Sequence, residues 1–251
     1  MRPCIFCPNP ANSKEDLFSR WILARVKTRE VLSRRRGDGE ANLTEDQEVR
    51  IPCVCNACNN GWMSRLENKC IPIIGNLLED ISITLDSDYQ KLLAAWAVKG
   101  AMIIDAEGSK PRFFRSDECE EFKKTRTIPN GTGIWIGRFT GRSLSAINGG
   151  FSVKTEDGVL VAQSHVFTVL VGHLAMQVLS VHEQRDRSIK TIRLAPIDGR
   201  WEELLIQIWP KDHKKVTWPP PLPFSHYGHL PYGSLVYRWT REQGHSLVIG
   251  S

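Results

Sequence analysis

The chain lacks the long apolar run that a membrane-spanning helix requires. Nothing in its 251 residues approaches ~18 consecutive apolar side chains. The opening stretch MRPCIFCPNPANSKED also lacks an apolar signal segment, because polar residues intervene after Phe6. These two absences set the expectation of a cytoplasmic protein. There is no internal repeat, no glycine-rich phosphate loop and no serine-nucleophile motif, which removes the solenoid, P-loop and serine-hydrolase readings. Neither sign of charge dominates. A total of 33 Lys and Arg against 28 Asp and Glu leaves a formal charge of +5, which permits a polyanionic partner without requiring one. With 41% hydrophobic residues the chain has material for a real core, so wholesale disorder is excluded.

Cysteine is what the sequence does have, and its placement is uneven. Five of the seven fall in the first 58 residues, including the pairs Cys4-x2-Cys7 and Cys55-x2-Cys58, while Cys70 and Cys119 stand alone. In a reducing compartment such clusters are more often metal ligands than disulfides. Each pair sets two thiolates on a tight knuckle, and four thiolates surround zinc tetrahedrally at about 2.3 Å each. Cys53 alternates with Cys55 on an expected strand, but the spacing of Cys55 and Cys58 matches that of the first pair. The pairs are too far apart for a compact zinc ribbon, so another element is inserted between them.

Periodicity gives the remaining elements. Phe18, Trp21, Ile22 and Arg25 predict a helix over residues 16–27. The basic run through Arg34, Arg35 and Arg36 and the acidic block after it, with Gly37 and Gly39 between, predict an exposed loop. Val49 and Ile51 lead a strand into the second cysteine pair. Trp62, Leu66 and Cys70 predict a helix after it, and Ile73, Ile74, Leu77, Leu78 and Ile81 extend the helical pattern. Ser87-x-x-Gln90 reads as a capping box before a helix that is apolar on most faces up to Ile104. A polar helix over 117–124 follows. From Gly133 the period changes to two, with strands expected at 133–139, 166–181 and 204–209 and a turn or bulge at Gly172-His173. Pro219, Pro220, Pro221 and Pro223 predict an irregular strap. His165, His173 and His182 read as ordinary sheet histidines, and His226 with His229 as a loop pair. The fold class expected is α+β: a zinc-organised module over 1–75, then a helical and mainly antiparallel β-rich domain over 76–251.

The segments CIFCPNPANSKEDLFSRWIL (4–23) and CNACNNGWMSRLE (55–67) resemble the HNH-type endonucleases of bacteria and phages. Such proteins carry C-x2-C, then a Glu-His dipeptide before a Trp, then C-x2-C-Asn-Asn. The likeness covers about the first 70 residues. It implies a ββα-metal fold clasped by structural zinc on Cys4, Cys7, Cys55 and Cys58, with a second ion, Mg²⁺ or Mn²⁺, at a nuclease centre acting on DNA. Glu15 would be a ligand of that ion, and Asn59, Asn60 or Glu67 would complete it. The chain departs from the pattern in its last ligand, which has no evident His or Asn counterpart, and above all in the dipeptide, which reads Glu15-Asp16. Histidine suits a general base because its ordinary pKa, about 6.5, lies near working pH, whereas an aspartate near 3.9 is a weak base. Asp16 is then either a second carboxylate for the ion or, with Glu15, simply the start of a helix. Two functions follow: a metal-dependent endonuclease, weakened or not, or a zinc-stabilised module that binds nucleic acid or a protein partner without catalysis.

Overall fold

The structure, a computed structural model, describes residues 2–26, 32–36, 42–44, 49–107, 112–150, 152–155, 160–183, 204–210, 215–224 and 247–250. In chain order these form β1 (Ser13–Asp16), α1 (Arg20–Val26), β2 (Leu32–Arg36), β3 (Asn42–Thr44), β4 (Arg50–Val54), the single turn α2 (Asn56–Cys58), a π turn over Asn59–Met63, and α3 (Ser64–Leu78). They continue as β5 (Ile83–Leu85), α4 (Ser87–Glu107), α5 (Ser116–Thr125), β6 (Thr132–Gly149), β7 (Ser152–Thr155), β8 (Leu160–Glu183), β9 (Leu205–Trp209), β10 (Val216–Trp218), β11 (Pro223–Phe224) and β12 (Leu247–Gly250). The class is α+β, as the change of period from helical to alternating requires.

Near the N-terminus β1 and β4 pair antiparallel, and the α2–α3 segment follows β4 directly. The result is two strands and then a helix. Gly61 makes the π turn, because its φ of −93° and ψ of −106° break the helical path between α2 and α3. The larger sheet runs in the order β12-β7-β8-β6-β2-β3, with β9 and β11 also on β6. Most of its pairings are antiparallel, but β2 and β11 lie parallel to β6. The long pair β6 and β8 is its spine.

Several expectations change here. The helix expected over 16–27 starts only at Arg20, because Glu15 and Asp16 are paired in β1 with Ile51 and Arg50. The charged insert contributes β2, which joins the edge of β6, and β3 beside it, so Arg34–Arg36 belong to a strand and not a loop. Gly37 and Gly39 lie outside the described residues. The N-terminus of α4 is capped one residue earlier than expected: Asp86 Oδ1 accepts from the N–H groups of Asp88 and Tyr89, both at 2.9 Å, while Gln90 reaches back to the Leu85 carbonyl. Gly172 lies inside β8 and not in a hairpin turn; beside it the register shifts, with residues 139–142 of β6 facing the single residue His173. Pro223 forms a two-residue pairing with β6, at the end of an otherwise irregular proline segment.

One core joins the cysteine knuckles, the helices and the strands β4, β5, β6, β8, β9 and β10. Phe6, Leu66, Ile74, Leu93, Val98, Phe167, Val169 and Trp218 belong to one cluster of buried side chains. Each such residue contributes roughly 1.5–3 kcal/mol relative to exposure. Helix α3 runs through the position expected for a domain boundary, packing on α4 and on β8. Helix α4 is buried from Leu93 to Ala95 and on through Ile104 with little interruption, and in the middle of that apolar surface sits Lys99.

Candidate metal centre and the carboxylate site beside it

The two cysteine knuckles meet. The sulfurs of Cys4, Cys7, Cys55 and Cys58 all lie within 4.8 Å of one another, and all four residues are buried. Cys7 Sγ is 3.6 Å from Cys55 Sγ and 3.7 Å from Cys58 Sγ. A tetrahedron with metal–sulfur bonds of about 2.3 Å has edges of roughly 3.8 Å, so the thiols fit a single ion. Backbone N–H groups point at the sulfurs as the knuckle geometry dictates, from Phe6 to Cys4 and from Cys58 to Cys55. Cys53 is buried but outside the cluster, as the spacing argument required.

Four thiols this close resist ionising together. Burial pushes Cys58 up to about 12. Burial acts the same way on Cys55, but the Cys58 N–H and the neighbouring thiols outweigh it and bring Cys55 down to about 7. A bound cation removes that conflict. Cationic side chains stand nearby. The Lys123 ammonium is held above the ordinary lysine range: slight desolvation acts against it, but Cys58 and Cys7 more than offset that. Arg126 lies over the Trp62 ring at 4.1 Å. Its guanidinium is lowered by burial and by the nearby Arg65. Arg65, Lys123 and Arg126 thus make a positive margin beside the knuckle.

The carboxylates predicted to serve catalysis are arranged differently from the expectation. Strand geometry sends adjacent side chains to opposite faces. Glu15 turns inward and Asp16 outward, so the two do not converge on one ion. Asp16 meets its cross-strand partner Arg50, with Arg50 Nε donating at 3.1 Å. Glu15 is buried, and Lys99 Nζ donates to its Oε1 at 2.7 Å, with side-chain exposures of 9% and 6%. Burial alone would lower the Lys99 ammonium. The charges of Glu15 and Glu67 more than offset this and hold the ammonium above its ordinary range.

Glu67, on α3, accepts from the Ser19 hydroxyl and, at 2.8 Å, from the Trp21 indole N–H. Asn59 acts as a strut: its amide donates to Ser13 Oγ at 2.9 Å and to the Lys14 carbonyl at 3.0 Å, tying the start of the helical segment to β1. Asn60 is exposed. A narrow cleft, lined among others by Glu15, Asp16, Ser19, Trp96 and Lys99, reaches the pair. Its volume, ≈ 20 Å³, is room for about one water.

Of these residues the four cysteines were legible from spacing; Glu15 was expected as a ligand of a catalytic ion, and the structure sets it against Lys99. Lys99 was missed. Its signal was present: one lysine inside LLAAWAVKGAMII is a charge on a helix face that otherwise demands burial, and such a charge needs a carboxylate partner. No family model matches the chain, and neither a curated protein nor a solved structure does.

Proposed function

We propose that this chain is a zinc-stabilised nucleic-acid-binding protein on the HNH-endonuclease plan that holds DNA without cutting it. One observation carries the reading: Glu15, the carboxylate a catalytic Mg²⁺ or Mn²⁺ would need, is buried and bonded to Lys99 at 2.7 Å. A divalent ion and an ammonium cannot share that oxygen at contact distance, because like charges repel strongly in a buried setting. The resident residues therefore do not fit the catalytic ion, and no hydrolytic step is routed through it. Asp16, the position of the missing histidine, is engaged by Arg50 and lies across the strand from Glu15.

The antiparallel pairing of β1 with β4 between the two cysteine pairs, with the α2–α3 segment directly after, supports the HNH-like plan. The four-sulfur tetrahedron supports zinc, which thiolates favour over harder ions. Arg65, Lys123 and Arg126 beside the knuckle, with the formal +5, support a phosphate-bearing partner. The competing endonuclease reading needs the metal to displace Lys99.

Supercoiled plasmid incubated with Mg²⁺ or Mn²⁺, alongside fluorescence anisotropy on a labelled duplex at two salt concentrations, tests the proposal. The expected result is DNA affinity that falls with salt and no nicking. Nicking that disappears in Glu15→Gln would restore the endonuclease. Absence of any salt-dependent affinity would leave a protein partner as the better reading.

A further inference from the structure

We propose that Lys99 is the built-in cation of the carboxylate site: its ammonium takes the place of a divalent ion near Glu15 and Glu67, and shortening it opens that place to metal. The inference rests on the HNH-like reading of the N-terminal region, and it adds what fills the centre and how it can be emptied.

The electrostatic case is local. Two carboxylates from different elements, β1 and α3, act on one buried ammonium. Glu15 supplies the direct bond, while Glu67 acts by its charge and is itself held by Ser19 and Trp21. Lys99 is the cation that the burial of Glu15 requires, since an unpaired buried carboxylate would be far costlier.

The steric case agrees. The adjoining cleft has space for about one water and none for a hydrated divalent ion beside the ammonium. Its wall includes Trp96, whose indole N–H has no protein partner among the described residues. Replacing Lys99 by alanine removes the charge together with the chain that carries it, and the vacated space adjoins the cleft. What remains is the Glu15 carboxylate, the Ser19 hydroxyl with Glu67 bonded behind it, and room for water, oxygen donors of the kind that hard cations take. A purely packing role for Lys99 gives a different outcome, in which the variant gains no metal.

The probe is Mn²⁺, followed by electron paramagnetic resonance on the whole chain. The parent, Lys99→Ala, and Lys99→Ala combined with Glu15→Gln are compared after circular dichroism and zinc content confirm their folding. The expected result is one Mn²⁺ gained by Lys99→Ala, bound at least about tenfold tighter than by the parent, and lost again in the double variant. A folded Lys99→Ala chain with normal zinc and no gain would overturn the proposal. So would a parent protein that already binds Mn²⁺ through Glu15. If Lys99→Ala folds poorly, the readout becomes its melting temperature with and without Mn²⁺. A rise that needs Glu15 supports the built-in cation, and no rise overturns it. Because no DNA enters these measurements, failure of DNA binding would remove the proposed function and leave the Mn²⁺ result standing.

Discussion

A single imidazole shows how burial alone can set the acid response of this molecule. His165 is 4% exposed, and neither ring nitrogen has a protein partner among the described residues. Asp105 Oδ1 stands 4.0 Å from its Nε2, too far for a hydrogen bond, while the Asp105 carboxylate accepts from the Phe113 and Phe114 N–H groups. On the other side of Phe113, His182 stacks at 4.1 Å and bonds to Glu118. Burial pushes His165 down to about 3 from its ordinary 6.5. Below pH 6.5 the unfolded chain therefore takes up a proton that the native chain refuses. The stability is intact above that pH and declines as pH falls from 6.5 toward 3, by about 1.4 kcal/mol per unit. The loss at pH 5 is about 2 kcal/mol from this residue alone. Urea unfolding of the parent and of His165→Phe at pH 7.5 and 5.0 should show the parent losing about 2 kcal/mol more than the variant. Equal losses would mean the imidazole is hydrated or already charged. The raised carboxyl of Asp105 titrates in both proteins and cancels in the difference. At this scale the sequence tells which residues are unusual but not which way they face. The histidine was legible as a sheet residue, whereas no pattern announces that Glu15 stands in a strand, paired with Ile51 and buried against Lys99.

Between elements, α3 ends in close contact with β8. Asp80, just past α3 and itself at φ 59°, accepts from Arg138 Nε through both carboxylate oxygens at 2.9 Å. Gly172 sits opposite, at φ 57°, and a Cβ there would lie 2.7 Å from the Leu78 carbonyl oxygen. Both the backbone conformation and the contact exclude a side chain. Gly172→Ala should cost about 1–3 kcal/mol. Gly100→Ala, whose new carbon would meet only the Phe167 ring at 3.0 Å, should cost less, because a side chain can yield where backbone cannot. Urea midpoints of the two variants check the order, and a reversal would show that the backbone at Gly172 relaxes freely. Period-two alternation did announce β6 and β8, since their inward faces carry residues such as Ile134, Ile136, Val169 and Val171. It did not announce β2, because the pattern of LSRRR looks like a solvated charge run and its strand character comes from pairing with β6 and β3.

For the whole molecule, the four-cysteine cluster is part of the common core, not an appendage to it. Phe6, lying between the first two ligands, packs edge-on against Trp62 at 4.8 Å, and Trp62 packs against Phe122 of α5 at 5.9 Å. Cysteines dominate one part of the sequence and alternation another, which suggested a zinc-organised module over 1–75 whose helices run on past its end. The continuous apolar surface of α3 and α4 carries the cluster across that point. Metal loss should therefore be felt beyond the first 75 residues. Protein purified without chelator should contain about one zinc per chain. A zinc site saturated about a thousandfold over its dissociation constant contributes roughly 4 kcal/mol to folding. Stripping the ion with a strong chelator, or replacing Cys7 by Ser, should lower the melting temperature of the single main transition and reduce the near-ultraviolet signal of the buried tryptophans. Trp62 beside the knuckle and Trp218 in the distal core both contribute to that signal. If instead the stripped protein keeps its tryptophan signal and melts as before, the sulfurs hold no structural ion. A third outcome, an early transition confined to the N-terminal part with the rest unchanged, would mean that α3 uncouples from α4 more readily than their shared burial implies.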